Sequence, residues 1–160
     1  MEFGHVGFSV ERLQRQLLGT EDCSIDEKGR IRLSKKKQTS LGENFVLTLK
    51  ESGILAAYPL DVWNEKVTEV YEIPHSSEER EKRSRELGSF AEGENSCDPQ
   101  GRFVVPFRLR KVSGLERAME ITLVGCLDHI EIWVREDFEK NGDRRAKTAQ
   151  KRRKALEEDS

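Results

Sequence analysis

Long apolar runs are missing from this 160-residue chain, and so is a surplus of charge of either sign. The longest apolar stretches, such as Ile54 to Tyr58, fall far short of the ~18 residues a membrane span needs. The opening segment, MEFGHVGFSV, has no basic region leading into an apolar one, so it does not read as a secretory signal. Cysteine is scarce: Cys23, Cys97 and Cys126 are widely spaced and form no CxxC pair, which argues against a disulfide framework or a zinc knuckle. His5, His75 and His129 are scattered and complete no HxxxH or HExxH pattern. A GxSxG, a P-loop and a GxGxxG are also lacking. These absences predict a soluble, cytosolic chain with no enzymatic activity, cofactor, metal, membrane partner or small-molecule substrate.

Apolar residues make up 35%, and the 12 glycines raise that only to about 42%, below the ~45–50% of a typical globular domain. Charged residues make up 36%, yet 28 basic groups against 30 acidic ones leave a net charge of −2. That balance excludes a uniformly basic nucleic-acid binder and leaves open a locally basic one. So lean a core with this much charge suits small, half-solvated layers, or burial completed by other subunits.

What the chain does contain is a repeat. Asp26-Glu27-Lys28-Gly29-Arg30 matches Asp98-Pro99-Gln100-Gly101-Arg102 at an offset of 72, and Ile31 and Leu33 match Phe103 and Val105. Further on, Val46 to Leu49 parallels Ile121 to Val124, Ile54 to Tyr58 parallels His129 to Trp133, and Trp63 parallels Phe138 at an offset of 75. Each copy reads as a strand, a type I turn closed by a left-handed glycine, a second strand, a short helix and a further strand pair. Asp26 and Asp98 are expected to organise the turns by accepting N–H bonds two residues on, with Gly29 and Gly101 at the bulge. Strands are expected over 22–25, 30–33, 45–49 and 54–58, and over 94–97, 102–105, 120–125 and 129–134. Ile31 and Leu33 should face the core while Arg30 and Arg32 point outward. Phe103 and Phe107 read as core.

Helices are expected over 35–41, capped by Ser34, and over 106–113, opened by Pro106. Between the copies, Trp63, Val67 and Val70 form one stripe of a helix over 60–71, and Ser76-Ser77-Glu78-Glu79 caps a highly charged helix ending near Gly88. Residues 9–18 suggest a short helix. From Lys140 to Lys154 eight basic residues and one acid suggest a mobile or frayed helix outside the core. The expected organisation is an N-terminal extension (1–19), a first repeat (20–62), a helical linker (63–91), a second repeat (92–137) and a charged tail (138–160).

Charge is distributed by position. Lys28 to Lys37 carries six basic residues (Lys28, Arg30, Arg32, Lys35, Lys36, Lys37) and no acid. Pro99 to Leu115 carries four (Arg102, Arg108, Arg110, Lys111) and again no acid. A two-stranded ribbon with an outward arginine by its turn can enter a DNA major groove; composition alone leaves a solvated basic hairpin as the alternative. Aromatics do not interleave with these bases, which disfavours single-strand stacking.

Gly19-Thr20, Ser24 to Arg30, Phe45 to Thr48 and Tyr58-Pro59-Leu60-x-x-Trp63 resemble the first half of the MraZ family. Asp98-x-x-Gly101-Arg102-Phe-Val-Val-Pro106, Gly114-Leu115, Leu123 to Gly125 and Ile130 to Trp133 resemble its second half. The resemblance spans roughly residues 17–140. It implies a mainly β fold with helices, in which two SpoVT-AbrB-type swapped-hairpin β-barrel repeats are joined by a helical segment. It also implies a DNA-binding transcriptional regulator of the cytoplasm and nucleoid. Such a regulator assembles into ring-like homo-oligomers and binds repeated elements upstream of the division and cell-wall gene cluster. The family arginine implicated in DNA contact falls on Arg30 and, by repetition, on Arg102; Lys28, Arg32, Lys35, Lys36 and Lys37 are the accompanying candidates. The chain departs from the family pattern at Leu33-Ser34-Lys35, where an Ile-Pro pair is usual, and at Phe90 to Cys97, which is more polar and glycine-rich. An AbrB-type protein-interaction module of the antitoxin kind is the alternative, and an enzyme using Asp98 and His129 a remote one.

Overall fold

The computed structural model describes residues 14–141 and 144–159. Most of the expected 9–18 helix, and His5, lie outside the described residues. Each repeat supplies four strands and a short helix. The first contains β1 (Thr20–Ile25), β2 (Arg30–Arg32), α1 (Lys35–Leu41), β3 (Phe45–Leu49) and β4 (Leu55–Pro59). Then come α2 (Leu60–Tyr71) and α3 (Glu78–Gly88). The second repeat contains β5 (Glu92–Asn95), β6 (Arg102–Val104), α4 (Phe107–Ser113), β7 (Met119–Gly125) and β8 (Ile130–Val134), followed by α5 (Arg135–Asn141) and α6 (Arg144–Glu158).

Local chemistry sets these boundaries. Ser34 Oγ accepts from the Lys37 N–H at 3.4 Å and opens α1, and Ser77 Oγ accepts from the Arg80 N–H at 3.1 Å and opens α3. Gly42 and Gly114, both at positive φ, end α1 and α4. In α2 the buried pair is Val62 and Val70; Trp63, expected on the buried stripe, is half-buried against Tyr58, with ring centroids 6.3 Å apart. Helix α3 buries no residue, as its alternating charges suggest.

All eight strands form one antiparallel, nearly closed barrel-like sheet in the order β5-β3-β4-β8-β7-β1-β2-β6. The order interleaves the repeats: β1 lies on β7, β5 on β3, β2 on β6 and β4 on β8. Each repeat's sheet is therefore completed by the other repeat of the same chain, where the composition suggests half-solvated layers or other subunits. Ile31 pairs with Phe103 and Ala56 with Glu131, so at both crossings a residue meets its own repeat equivalent. An approximate two-fold axis runs through those two pairs, and the offsets of 72 and 75 are its signature in the sequence.

One core results. Ile25, Ile31, Leu33, Phe45, Leu47 and Leu55 are buried with Phe103, Val105, Leu109, Ile121, Leu123 and Ile132. Phe45 and Phe103, one from each repeat, meet edge to face at 5.3 Å and 86°, an arrangement worth about 0.5–1.5 kcal/mol beyond burial. The sheet stays open between β5 and β6, its two ends. There the segment before the second turn is polar, Glu94 sits at φ 58, and the β3–β5 register shifts through a bulge. Accordingly β5 lies two residues earlier than its alternation suggests.

Candidate nucleic-acid interface

The two Asp-x-x-Gly-Arg turns have the same geometry. Asp26 Oδ1 accepts the Lys28 and Arg30 backbone N–H groups, both at 2.9 Å, and its Oδ2 accepts Arg30 Nε at 2.7 Å. Asp98 Oδ1 accepts Gln100 N–H and Arg102 N–H at 2.9 Å, and its Oδ2 accepts Arg102 Nε at 2.9 Å. The arginine backbone N–H, helped by its guanidinium and the second N–H, holds each carboxyl below the usual carboxylate range. Gly29 and Gly101 close the turns at φ 75 and 80.

Each turn is locked under the other repeat. Val105 N–H donates to Gly29 O and Leu33 N–H to Gly101 O, both at 2.9 Å. A Cβ on Gly29 would stand 3.0 Å from Arg110 Nε, and one on Gly101 would collide with the Gln38 amide and stand 3.1 Å from Leu33 O. The Gln38 amide meanwhile donates to Leu33 O at 2.9 Å, and Arg110 Nε donates to Val105 O at 3.2 Å. Each end of the β2–β6 ribbon thus joins one repeat's turn to the other's helix.

The ribbon that carries the arginines is therefore built from both repeats, not from either hairpin alone. Arg32 stands opposite Arg102, Arg30 opposite Val104, and the central pair Ile31–Phe103 is buried beneath. Arg30 and Arg102 lie diagonally, two residue rises or ~7 Å apart along the strands. Nε of each is spent on its aspartate; among the described residues no hydrogen bond engages their terminal nitrogens. A carboxylate that holds Nε fixes the direction of the guanidinium and leaves its outer edge as a bidentate donor for a phosphate or a guanine. A recess of about 500 Å³ opens here, lined by Arg30, Arg32, Arg102 and Arg135 against Asp26 and Glu120. Sequence reasoning missed Arg135, which is committed to holding strands: it donates to Cys23 O at 2.9 Å and pairs with Glu120 at 3.1 Å. Its only signal was position, at the start of the helix after β8.

Of the lysines, Lys28, Lys35 and Lys36 are exposed. Lys37 is a correction: it is only 7% exposed, and its ammonium pairs with Glu21 at 3.2 Å and donates to Leu18 O at 3.4 Å. Helical periodicity turns the third residue of α1 inward, where an acid of β1 meets it. Phe107 is a second correction, being 66% exposed rather than core, because the first turn of α4 points it outward beneath Arg110 (5.6 Å). Arg108 lies over the Phe90 ring at 4.6 Å, and Lys111 is exposed.

Asp98 and His129 are not brought together: Asp98 belongs to its turn, and His129 Nδ1 lies 2.6 Å from Asp128 Oδ1 at the β7–β8 turn. Burial lowers the His129 pKa and pushes the Cys23 and Cys126 thiols up to about 11, away from nucleophilic thiolates.

The family model described as "MraZ protein, putative antitoxin-like" matches residues 17–86 and 91–158, one segment on each repeat. The chain belongs to the MraZ family. A relative from Lachnoclostridium phytofermentans, named Transcriptional regulator MraZ, is 37% identical over 124 residues, 78% of this chain and 85% of its own. Relatives of the same name from Heliobacterium modesticaldum and Nocardioides sp. are 33% and 34% identical, over 81% and 72% of this chain and 88% and 78% of theirs. That name lies outside the enzyme classes. Among the described residues no helix is long and apolar enough to cross a membrane.

Proposed function

We propose that this MraZ-family chain is a sequence-specific double-stranded DNA-binding transcriptional regulator with no catalytic role. In this reading it acts in the nucleoid on the division and cell-wall gene cluster. The observation that carries it is the single outward ribbon face on which Arg30, Arg32 and Arg102 converge, two of them aimed by turn aspartates. A two-stranded ribbon fits the major groove. Arg30 and Arg102 are the base or phosphate contacts, Arg32 stands opposite Arg102 on the same face, and Lys28, Lys35 and Lys36 reach flanking phosphates. Asp26, Gly29, Asp98 and Gly101 shape the turns.

One ribbon presents few cations, so useful affinity comes from several protomers of a ring-like homo-oligomer engaging repeated promoter elements. If each unit neutralises ~4 phosphates, log K falls with log[salt] at a slope of about −3.6 per unit. Gel retardation of the DNA upstream of its own operon, at two salt concentrations, tests this. The wild-type protein should retard that DNA in preference to a scrambled duplex, and Arg30→Ala should not. Equal retardation by Arg30→Ala removes the assigned role.

A second reading, a protein-interaction module, draws on the antitoxin-like description of the family and on the charged α6, exposed over residues 151–158. Co-purification of a stoichiometric small protein whose binding needs residues 144–158, together with absence of DNA retardation, would favour it.

A further inference from the structure

The turn between β7 and β8 follows an unusual path. Leu127 adopts φ 71, a left-handed conformation that a leucine rarely takes. It is held there by a reciprocal pair of bonds with Leu17, at 2.8 and 2.9 Å, while Cys126 N–H donates to His129 O at 2.8 Å and Asp128 N–H to Cys126 O at 2.9 Å. The result is convergence: Cys126 Sγ, a His129 ring nitrogen and a Glu131 carboxylate oxygen all lie within 4.8 Å of one another.

The imidazole is prepared on both sides. Its face stacks on Tyr58 with centroids 4.7 Å apart and planes 18° apart. Its Nδ1 lies 2.6 Å from Asp128 Oδ1, which favours the proton on Nδ1 and leaves a lone pair on Nε2. Nε2 is buried and has no hydrogen-bond partner among the described residues. A carboxylate on one ring nitrogen and a free lone pair on the other is how a protein orients a metal-binding histidine. Glu131 is likewise anchored, one oxygen 2.6 Å from Lys50 Nζ and the other accepting Trp133 Nε1–H at 3.0 Å, and each oxygen keeps a further lone pair.

We propose that Cys126, His129 and Glu131 form a binding site for a divalent transition metal, with Asp128 as the positioning residue behind the imidazole. One sulfur, one nitrogen and one oxygen donor suit zinc, whose tetrahedral shell is completed by water. Closing onto the ion requires the donor atoms to contract to about 3.3–3.8 Å from one another, given bonds of ~2.0–2.3 Å. Charge balances as well. Asp128 and Glu131 against Lys50 leave one negative charge; adding a divalent cation and releasing the Cys126 proton to solvent leaves the cluster neutral. The site lies beyond the Val124 end of β7, whereas the Asp26 turn adjoins the Met119 end. Its role is structural: it fastens the β7–β8 hairpin to β4 through Tyr58 and to the chain entering β1 through Leu17.

The test is cobalt and zinc titration of the metal-stripped full-length protein. Cobalt should bind one per chain and give a thiolate-to-cobalt charge-transfer band, and zinc at a hundredfold its dissociation constant should raise Tm by about 5–10 °C. Cys126→Ser and His129→Gln should abolish the band, Cys23→Ser and Cys97→Ser should keep it, and Asp128→Asn should weaken binding about 10- to 100-fold. Absence of the band in the wild-type protein, or its persistence in Cys126→Ser, overturns the proposal. The wild-type cobalt spectrum decides the matter even if a variant fails to fold, and neither result depends on DNA binding.

Discussion

Along β1, six consecutive residues from Thr20 to Ile25 face β7 in unbroken register, whereas its repeat counterpart β5 meets β3 only at Phe45↔Asn95 and Leu47↔Glu92, with a bulge between. Both strands are polar in sequence, so polarity alone does not separate them. The difference lies in what grips them. Asp22 accepts Thr122 Oγ1–H at 2.8 Å across the first seam, and Arg135 ties Cys23 O to Glu120. The repeat equivalent of Arg135 is Leu60, which is exposed and can clamp nothing. Glycine at 93 and the left-handed Glu94 loosen the second seam further. A duplicated unit can therefore keep its turns alike while its two equivalent seams are secured unequally: the edge seam of β5 on β3 has the Asn95 amide donating to Phe45 O at 3.1 Å and, among the described residues, no counterpart of the Arg135 clamp.

The largest expected effect tests whether unequal seams still share one core. Phe103→Ala should cost about 3–5 kcal/mol and Ile31→Ala about 2–5 kcal/mol. Urea unfolding followed separately by Trp63, which packs against Tyr58 of the first repeat, and by Trp133 of the second should give coincident transitions. Two transitions would make the repeats independent units. Next, Arg135→Ala should cost about 1–3 kcal/mol, since it leaves the part-buried Cys23 carbonyl without its donor, while Leu60→Ala should stay within about 0.5 kcal/mol. Equal costs at the two equivalent positions would remove the explanation of the seam difference.

At the turns the halves should behave more alike. Gly101→Ala should destabilise by about 1–3 kcal/mol and Gly29→Ala somewhat less, because a left-handed φ penalises both and the Gln38 amide crowds only the first. The smallest effect is acid sensitivity. Both turn aspartates have depressed folded-state pKa values, so their contribution is present above the unfolded value of ~3.9 and is lost as pH falls through the lower folded value. Asp26→Asn combined with Asp98→Asn should flatten the stability profile below about pH 4; an unchanged acid limb would show that the turns do not titrate with folding.

Much of this was legible from residues. The Asp-x-x-Gly-Arg copies located both turns, glycine and serine marked the helix ends, and alternation placed Ile31 and Leu33 inward. The interleaving was not legible, because a three-residue strand such as Arg30–Arg32 carries no information about its partner. The offsets of 72 and 75 did contain the answer, since residues related by them pair at the two-fold axis, but nothing local says that equivalents touch. Lys37 misled because a basic run looks uniform in sequence, while a helix turns one of three adjacent lysines to the core. His129 was passed over because Cys-x-x-His-x-Glu falls outside the usual metal spacings; only the left-handed Leu127 brings those donors together.

The most direct measurement is the salt dependence of DNA affinity for single variants of the ribbon. Arg30→Ala, Arg32→Ala and Arg102→Ala should each reduce the magnitude of the log K against log[salt] slope by about 0.9 wherever the residue meets a phosphate, or lose preference for the promoter repeat where it reads a base. Lys37→Met, whose ammonium is already paired inside the protein, should change neither. Wild-type slopes in all three arginine variants, with sequence preference intact, would contradict the assignment of this ribbon to DNA.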